Sequence, residues 1–76
     1  IPMTNLKIET LSFEEIEALK LKDVENLKQE EAAAKMGISR STFQRIIKSA
    51  RYKLVKSIIE GKLLKLKVEI IYLRKI

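Results

Sequence analysis

Apolar and polar residues alternate in "LKIET", Leu6 to Thr10, which is the two-residue period of a short strand. The pattern changes at "SFEE". Ser12 followed by Glu15 is a capping box, in which each side chain bonds the other's backbone amide. It predicts a helix opening at Ser12, with Phe13, Ile16 and Leu19 as its buried face and an end near Lys22. "KDVEN" reads as a turn. A second helix is expected from near Leu27 to Met36, with Gln29, Glu30 and Glu31 in its first turn, where negative charge suits the helix dipole. Gly37 follows as a C-terminal cap at positive φ.

Ser39 is a natural N-cap for a third, long helix from Arg40 to about Glu60, ended by Gly61. Phe43, Ile46, Ile47, Ala50, Leu54 and Ile58 recur at helical spacing as one apolar stripe. The tail "KLLKLKVEIIY" sets Leu64, Leu66, Val68 and Ile70 against Lys65, Lys67 and Glu69. That is a strand period, although the same segment also fits an amphipathic helix. A lone strand is unstable, so Leu64–Ile70 is expected to pair with Leu6–Thr10, within one chain or across a dimer.

Two helices joined by a tight glycine turn form a helix-turn-helix. Ala33 lets the helices approach, Gly37 permits the turn, and Ile38 and Ile46 fill the angle between them. The expected fold is therefore mainly α. It is a three-helix helix-turn-helix domain with a long third helix, flanked by short N- and C-terminal strands. It forms a single domain over residues 1–76, with the motif at about residues 28–50 and a strand or tail at 62–76. Ser41, Arg45, Lys48 and Tyr52 share the helix face opposite the stripe, with Gln44 at its border and Arg40 in the first turn. Arginine can read guanine and glutamine can read adenine in the major groove. Lys53 and Lys56 lie further along, better placed for DNA backbone or solvent.

Charge sharpens this reading. The 76 residues carry a net +6, unevenly spread. Residues 1–38 hold five Lys against eight Asp/Glu, a net of −3; residues 39–61 have a net of +5 and residues 62–76 a net of +4. A basic half behind an acidic one points to a polyanionic partner. With neither cysteine nor histidine, the chain has no disulfide framework and no Cys/His zinc site. No phosphate loop is present, and the pairs Glu14/Glu15 and Glu30/Glu31 fit helix N-terminal charge better than acid–base chemistry, so an enzyme is not expected, nor a cofactor or metal. No uncharged apolar run approaches the roughly 18 residues of a membrane span, and no signal peptide is visible, so a reducing, cytoplasmic setting is expected. The first residue is Ile1 rather than methionine, which reads as a fragment.

The stretch "EIEALKLKDVENLKQEEAAAKMGISRSTFQRIIKSARYKL", Glu15 to Leu54, resembles a family of small prokaryotic proteins known only as predicted DNA-binding proteins of unknown function. That family runs through an E-A-L-R-L helix, Q-E-E-A-A, M-G-[VI]-S-R-x-T-F and a long helix ending A-R-x-K. "IPM" at the start and the later "EGK" also match, so the resemblance covers roughly residues 1–66. The family usually carries a basic extension before "IPM", which is absent here, and the tail "VEIIYLRKI" departs from its pattern. More distantly, the chain is similar to region 4 of sigma factors, whose helix-turn-helix reads promoter DNA.

The resemblance implies a transcription-related role, with Arg40, Ser41, Gln44 and Arg45 at the recognition positions. Together with Gln29, Ser39, Thr42 and Lys48 they form the expected contact set for double-stranded DNA. The competing expectation is a protein-interaction module of the same fold, for example one docking on RNA polymerase. Binding of the basic tail to a membrane surface would need a helical rather than a two-residue period there.

Overall fold

The computed structural model describes residues 8–61 and 63–66. The elements are strand β1 (Ile8–Leu11), helix α1 (Phe13–Leu19) running on as a π-helical turn (Lys20–Val24), helix α2 (Gln29–Met36), helix α3 (Arg40–Glu60) and strand β2 (Leu63–Leu66). The architecture is mainly helical, as the periodicity predicts. β1 and β2 form a parallel two-stranded sheet within the one chain, in the register Ile8↔Leu63 to Leu11↔Leu66. Parallel neighbours need a long crossover, and here all three helices supply it. The ends of the predicted strands, at Leu6, Lys7 and 67–70, and the rest of the tail lie outside the described residues.

Local chemistry explains the helix boundaries. The Ser12 hydroxyl accepts from the Glu15 amide at 3.2 Å, and the Glu15 carboxylate accepts from the Ser12 amide at 2.9 Å, completing the capping box. α1 does not stop near Lys22. Its backbone widens, with the Glu25 amide bonding the Lys20 carbonyl at 2.9 Å, and it ends at Asn26, whose φ is 58°. Asparagine tolerates this left-handed conformation better than most residues. The wider turn coincides with two demands on nearby residues: Leu21 sits in the core, and Asp23 reaches Arg51 on α3. "KDVEN" is thus helical through Val24 and turns only afterwards.

α2 starts at Gln29 rather than near Leu27, because the Glu31 carboxylate captures the Lys28 amide at 3.0 Å and fixes the helix entry there. It ends at Gly37, φ 69°, in a Schellman arrangement. The Gly37 amide bonds the Ala34 carbonyl, and the Ile38 amide bonds that of Ala33. The core lies where the helices meet: Ala18 and Leu21 from the first, Ala32 and Ala33 from α2, Phe43 and Ile47 from α3. Ile38 and Ile46 pack against it, as the turn requires. Phe43 is fully buried, a contribution of about 2–3 kcal/mol. Alanines on facing helices let the backbones approach closely around that ring.

The expected buried face of α1 is rotated. Glu15 and Ala18 are buried, Ile16 and Leu19 are half-buried, and Phe13 is 44% exposed. The cause is Glu15. Its carboxylate is anchored to α3, which turns that side of α1 inward.

Candidate nucleic-acid interface

α3 is 21 residues long, and its N-terminal half carries the residues of interest. The Ser39 hydroxyl accepts from the Thr42 amide at 3.2 Å and lies 2.9 Å from the Thr42 hydroxyl and 3.2 Å from that of Ser41. This hydroxyl cluster caps the helix and fixes where its first turn points. Arg45 reaches back to the Thr42 hydroxyl at 3.5 Å, a weak contact that leaves the guanidinium exposed. Ser41, Arg45 and Lys48 are exposed on the side away from Phe43 and Ile47, and Gln44 is exposed at the border of that side. Arg40 makes an exposed ion pair with Glu30 of α2 at 3.4 Å, worth little in water.

Gln29, the first residue of α2, accepts from the Gln44 side-chain amide at 2.9 Å. Of the eight predicted contact residues, hydrogen bonds join Ser39, Ser41, Thr42 and Arg45 in one cluster and Gln29 to Gln44, while Arg40 pairs with Glu30 and Lys48 is exposed on the same helix. They divide into two sets: Ser39 and Thr42 serve mainly the cap, while Arg40, Ser41, Gln44, Arg45 and Lys48 face outward, with Gln29 behind Gln44.

The helix starts differ electrostatically. α1 has Glu14 and Glu15 in its first turn, and α2 has Glu30 and Glu31. α3 has no acidic residue there, and Arg40 adds positive charge. Within its own first turn the amides are answered by hydroxyls, and the nearest carboxylate is that of Glu30 on α2, paired with Arg40.

Two expectations need correction. Lys53 is not held ready for DNA or solvent. Its ammonium bonds the Glu15 carboxylate at 3.1 Å and the Thr10 carbonyl at 3.4 Å. Glu15 also accepts from the Ser49 hydroxyl at 2.7 Å, so each carboxylate oxygen is engaged. Burial pushes the Glu15 pKa up, but the Ser12 amide, the Ser49 hydroxyl and the Lys53 ammonium together hold it below the ordinary value. Ser49 and Lys53 are one turn apart on α3, yet nothing local says that a carboxylate 34 and 38 residues away binds them. Lys56 stays nearer solvent, 3.3 Å from the Tyr52 hydroxyl and 5.4 Å above its ring. Its pKa is raised, first by that hydrogen bond.

The second correction is the apolar stripe. Phe43, Ile47 and Ala50 are buried and Ile46 and Leu54 half-buried, but Ile58 is 73% exposed and Ser57 is buried instead. Steps of four residues overshoot the helical turn by about 40° each, so two such steps from Ala50 carry Ile58 off the core side. Ser57, seven residues on from Ala50, keeps its place and bonds its hydroxyl to the Lys53 carbonyl at 2.7 Å. The C-terminal half of α3 also exposes Tyr52, Val55 and Ile59.

Among the described residues, no group of three or more acidic, histidine or cysteine side chains is placed to hold a metal ion, and no helix is long and apolar enough to cross a membrane.

No solved structure matches the chain. It is 52% identical over 65 residues to a UPF0251 protein of Halothermothrix orenii, covering 86% of this chain and 48% of that protein. Against a UPF0251 protein of Desulforudis audaxviator it is 52% identical over 62 residues, 82% of this chain and 40% of the relative. A UPF0251 protein of Dehalococcoides mccartyi is 52% identical over 66 residues, 87% of this chain and 56% of the relative. The chain thus spans about half the length of these curated relatives. A family model described as "Protein of unknown function DUF134" matches residues 1–70, and the chain belongs to that family.

Proposed function

We propose that this chain binds double-stranded DNA through a helix-turn-helix formed by α2, the Gly37 turn and α3, in the manner of region 4 of sigma factors, and serves transcription rather than catalysis. One observation carries the reading. The N-terminal half of the long helix presents Arg40, Ser41, Gln44, Arg45 and Lys48 outward, beside a helix start that lacks the acidic residues its two neighbours have. A helix of this kind fits the major groove, where arginine and glutamine find base-edge partners and the helix start finds phosphate. The exposed cations Arg40, Arg45 and Lys48 supply the sequence-independent attraction, since Arg51 and Lys53 are paired with Asp23 and Glu15.

The exposed Tyr52, Val55 and Ile59 favour a second reading, in which the same domain docks on a protein such as RNA polymerase. Salt separates the two. Titration of a random-sequence duplex should give an affinity that falls with salt at a log–log slope of roughly −3, as three released counterions at Arg40, Arg45 and Lys48 require. Absence of binding at low salt would move the assignment to a protein partner.

A further inference from the structure

We propose that Gln29 and Gln44 form one reading unit, in which Gln29 positions Gln44 to recognise an adenine in the major groove. The proposal rests on the DNA-binding reading above and narrows it to a base. Its observation is the 2.9 Å hydrogen bond between two side-chain amides 15 residues apart, one opening α2 and the other at the start of the second turn of α3. Gln44 donates and Gln29 accepts.

A primary amide has two N–H bonds and one carbonyl oxygen. The pairing requires that the N–H given to Gln29 be the one turned away from Oε1, so that the other N–H of Gln44 and its Oε1 lie side by side on one edge. That edge is a donor next to an acceptor, in one plane. Adenine offers the complement in the major groove: N7 accepts and the N6 amino group donates. Guanine offers two acceptors there, which leaves Oε1 facing an oxygen. Cytosine offers a donor alone, and thymine an acceptor beside a methyl group. The terminal torsion of a glutamine is broad. A lone Gln44 would turn its amide to suit several bases, and the Gln29 carbonyl removes that freedom. Gln29 keeps its own NH2 group, two donors that a phosphate oxygen could accept.

The test uses the full chain. A preferred site is selected from a random duplex pool with the parent protein, and each A·T pair in it is then changed to G·C. The parent should lose roughly tenfold in affinity at one such pair. Gln44→Ala and Gln29→Ala should both flatten that discrimination to about threefold or less while melting within a few degrees of the parent. Gln29→Glu is the sharper variant. A carboxylate accepts but cannot donate, and glutamate suits a helix start, so this variant should keep the tenfold preference while binding every duplex more weakly. Full preference in Gln29→Ala, or its loss in Gln29→Glu, overturns the pairing while DNA binding stands. Equal losses by Gln29→Ala on matched and changed duplexes also overturn it, and reduce Gln29 to a phosphate contact. A parent that binds no duplex at low salt overturns the pairing and the DNA reading together.

Discussion

Gly37 and Glu15 show how much a single side chain decides. Gly37 has φ 69°, and a Cβ built there meets nothing within 4 Å. The cost of replacing it is therefore backbone strain alone. Gly37→Ala should destabilise by about 1–2 kcal/mol, and Gly37→Asn by less, because asparagine adopts this conformation more readily. Denaturant melts of the three proteins check the order; equal midpoints would contradict the left-handed turn. Glu15 is buried and held by Ser12, Ser49 and Lys53, with its pKa lowered in the folded state. A lowered carboxylate pKa gives stability that is fully present above the unfolded value, about 4.3, and is lost as pH falls through the folded one. Glu15→Gln should cost about 1–3 kcal/mol at neutral pH and flatten the acid limb of a stability–pH curve. An unchanged acid limb would remove Glu15 from that role. The local half of this chemistry was legible: Ser12 with Glu15, Ser39 before Arg40, and Gly37 are short-range patterns. The pairings of Glu15 with Lys53 and of Asp23 with Arg51 were not, because they join residues 38 and 28 positions apart.

Along α3 the spacing of apolar residues and the helical period part company. The periodicity placed its first half correctly, and the stripe failed only at Ile58, where steps of four outran the helix. Ser57 occupies the core side there and bonds its own helix backbone. Ser57→Ala removes a hydroxyl without orphaning a partner, since the Lys53 carbonyl keeps its place in the helix ladder. Stability should change by no more than about 0.5 kcal/mol, and Ile58→Lys, on the exposed side, should be as mild. Thermal melts of both variants check this; a loss of several degrees in Ile58→Lys would return Ile58 to the core. The π-helical turn after α1 had no signal in the sequence. Leu21 in the core and Asp23 on Arg51 accompany the widening, and both contacts exist only in the assembled helices. The strands were legible as alternation, while their parallel pairing depends on how the three-helix crossover returns the chain.

Over the whole molecule, charge and burial follow the same division. In the first half, Glu14, Glu15, Glu30 and Glu31 stand at helix starts, and Glu15 and Asp23 anchor α3. Asp23 has its pKa lowered, first by its hydrogen bond from Arg51, whose own pKa is raised by the same bond. Lys53 and Arg51 are thereby committed to the fold, and the outward cations of α3 near its start are Arg40, Arg45 and Lys48. Further along, the exposed side turns apolar at Tyr52, Val55 and Ile59. One helix face thus has a polar, cationic half, on which the proposed DNA reading rests, and an apolar half. The most direct test is a titration of the isotope-labelled chain with a short duplex, followed by the backbone and side-chain amide signals in NMR. The account predicts that the shifts concentrate at Ser39 to Lys48 and at the side-chain amides of Gln29 and Gln44, and fade when salt is raised. Shifts concentrated from Tyr52 to Glu60, or no shifts at low salt, would contradict it.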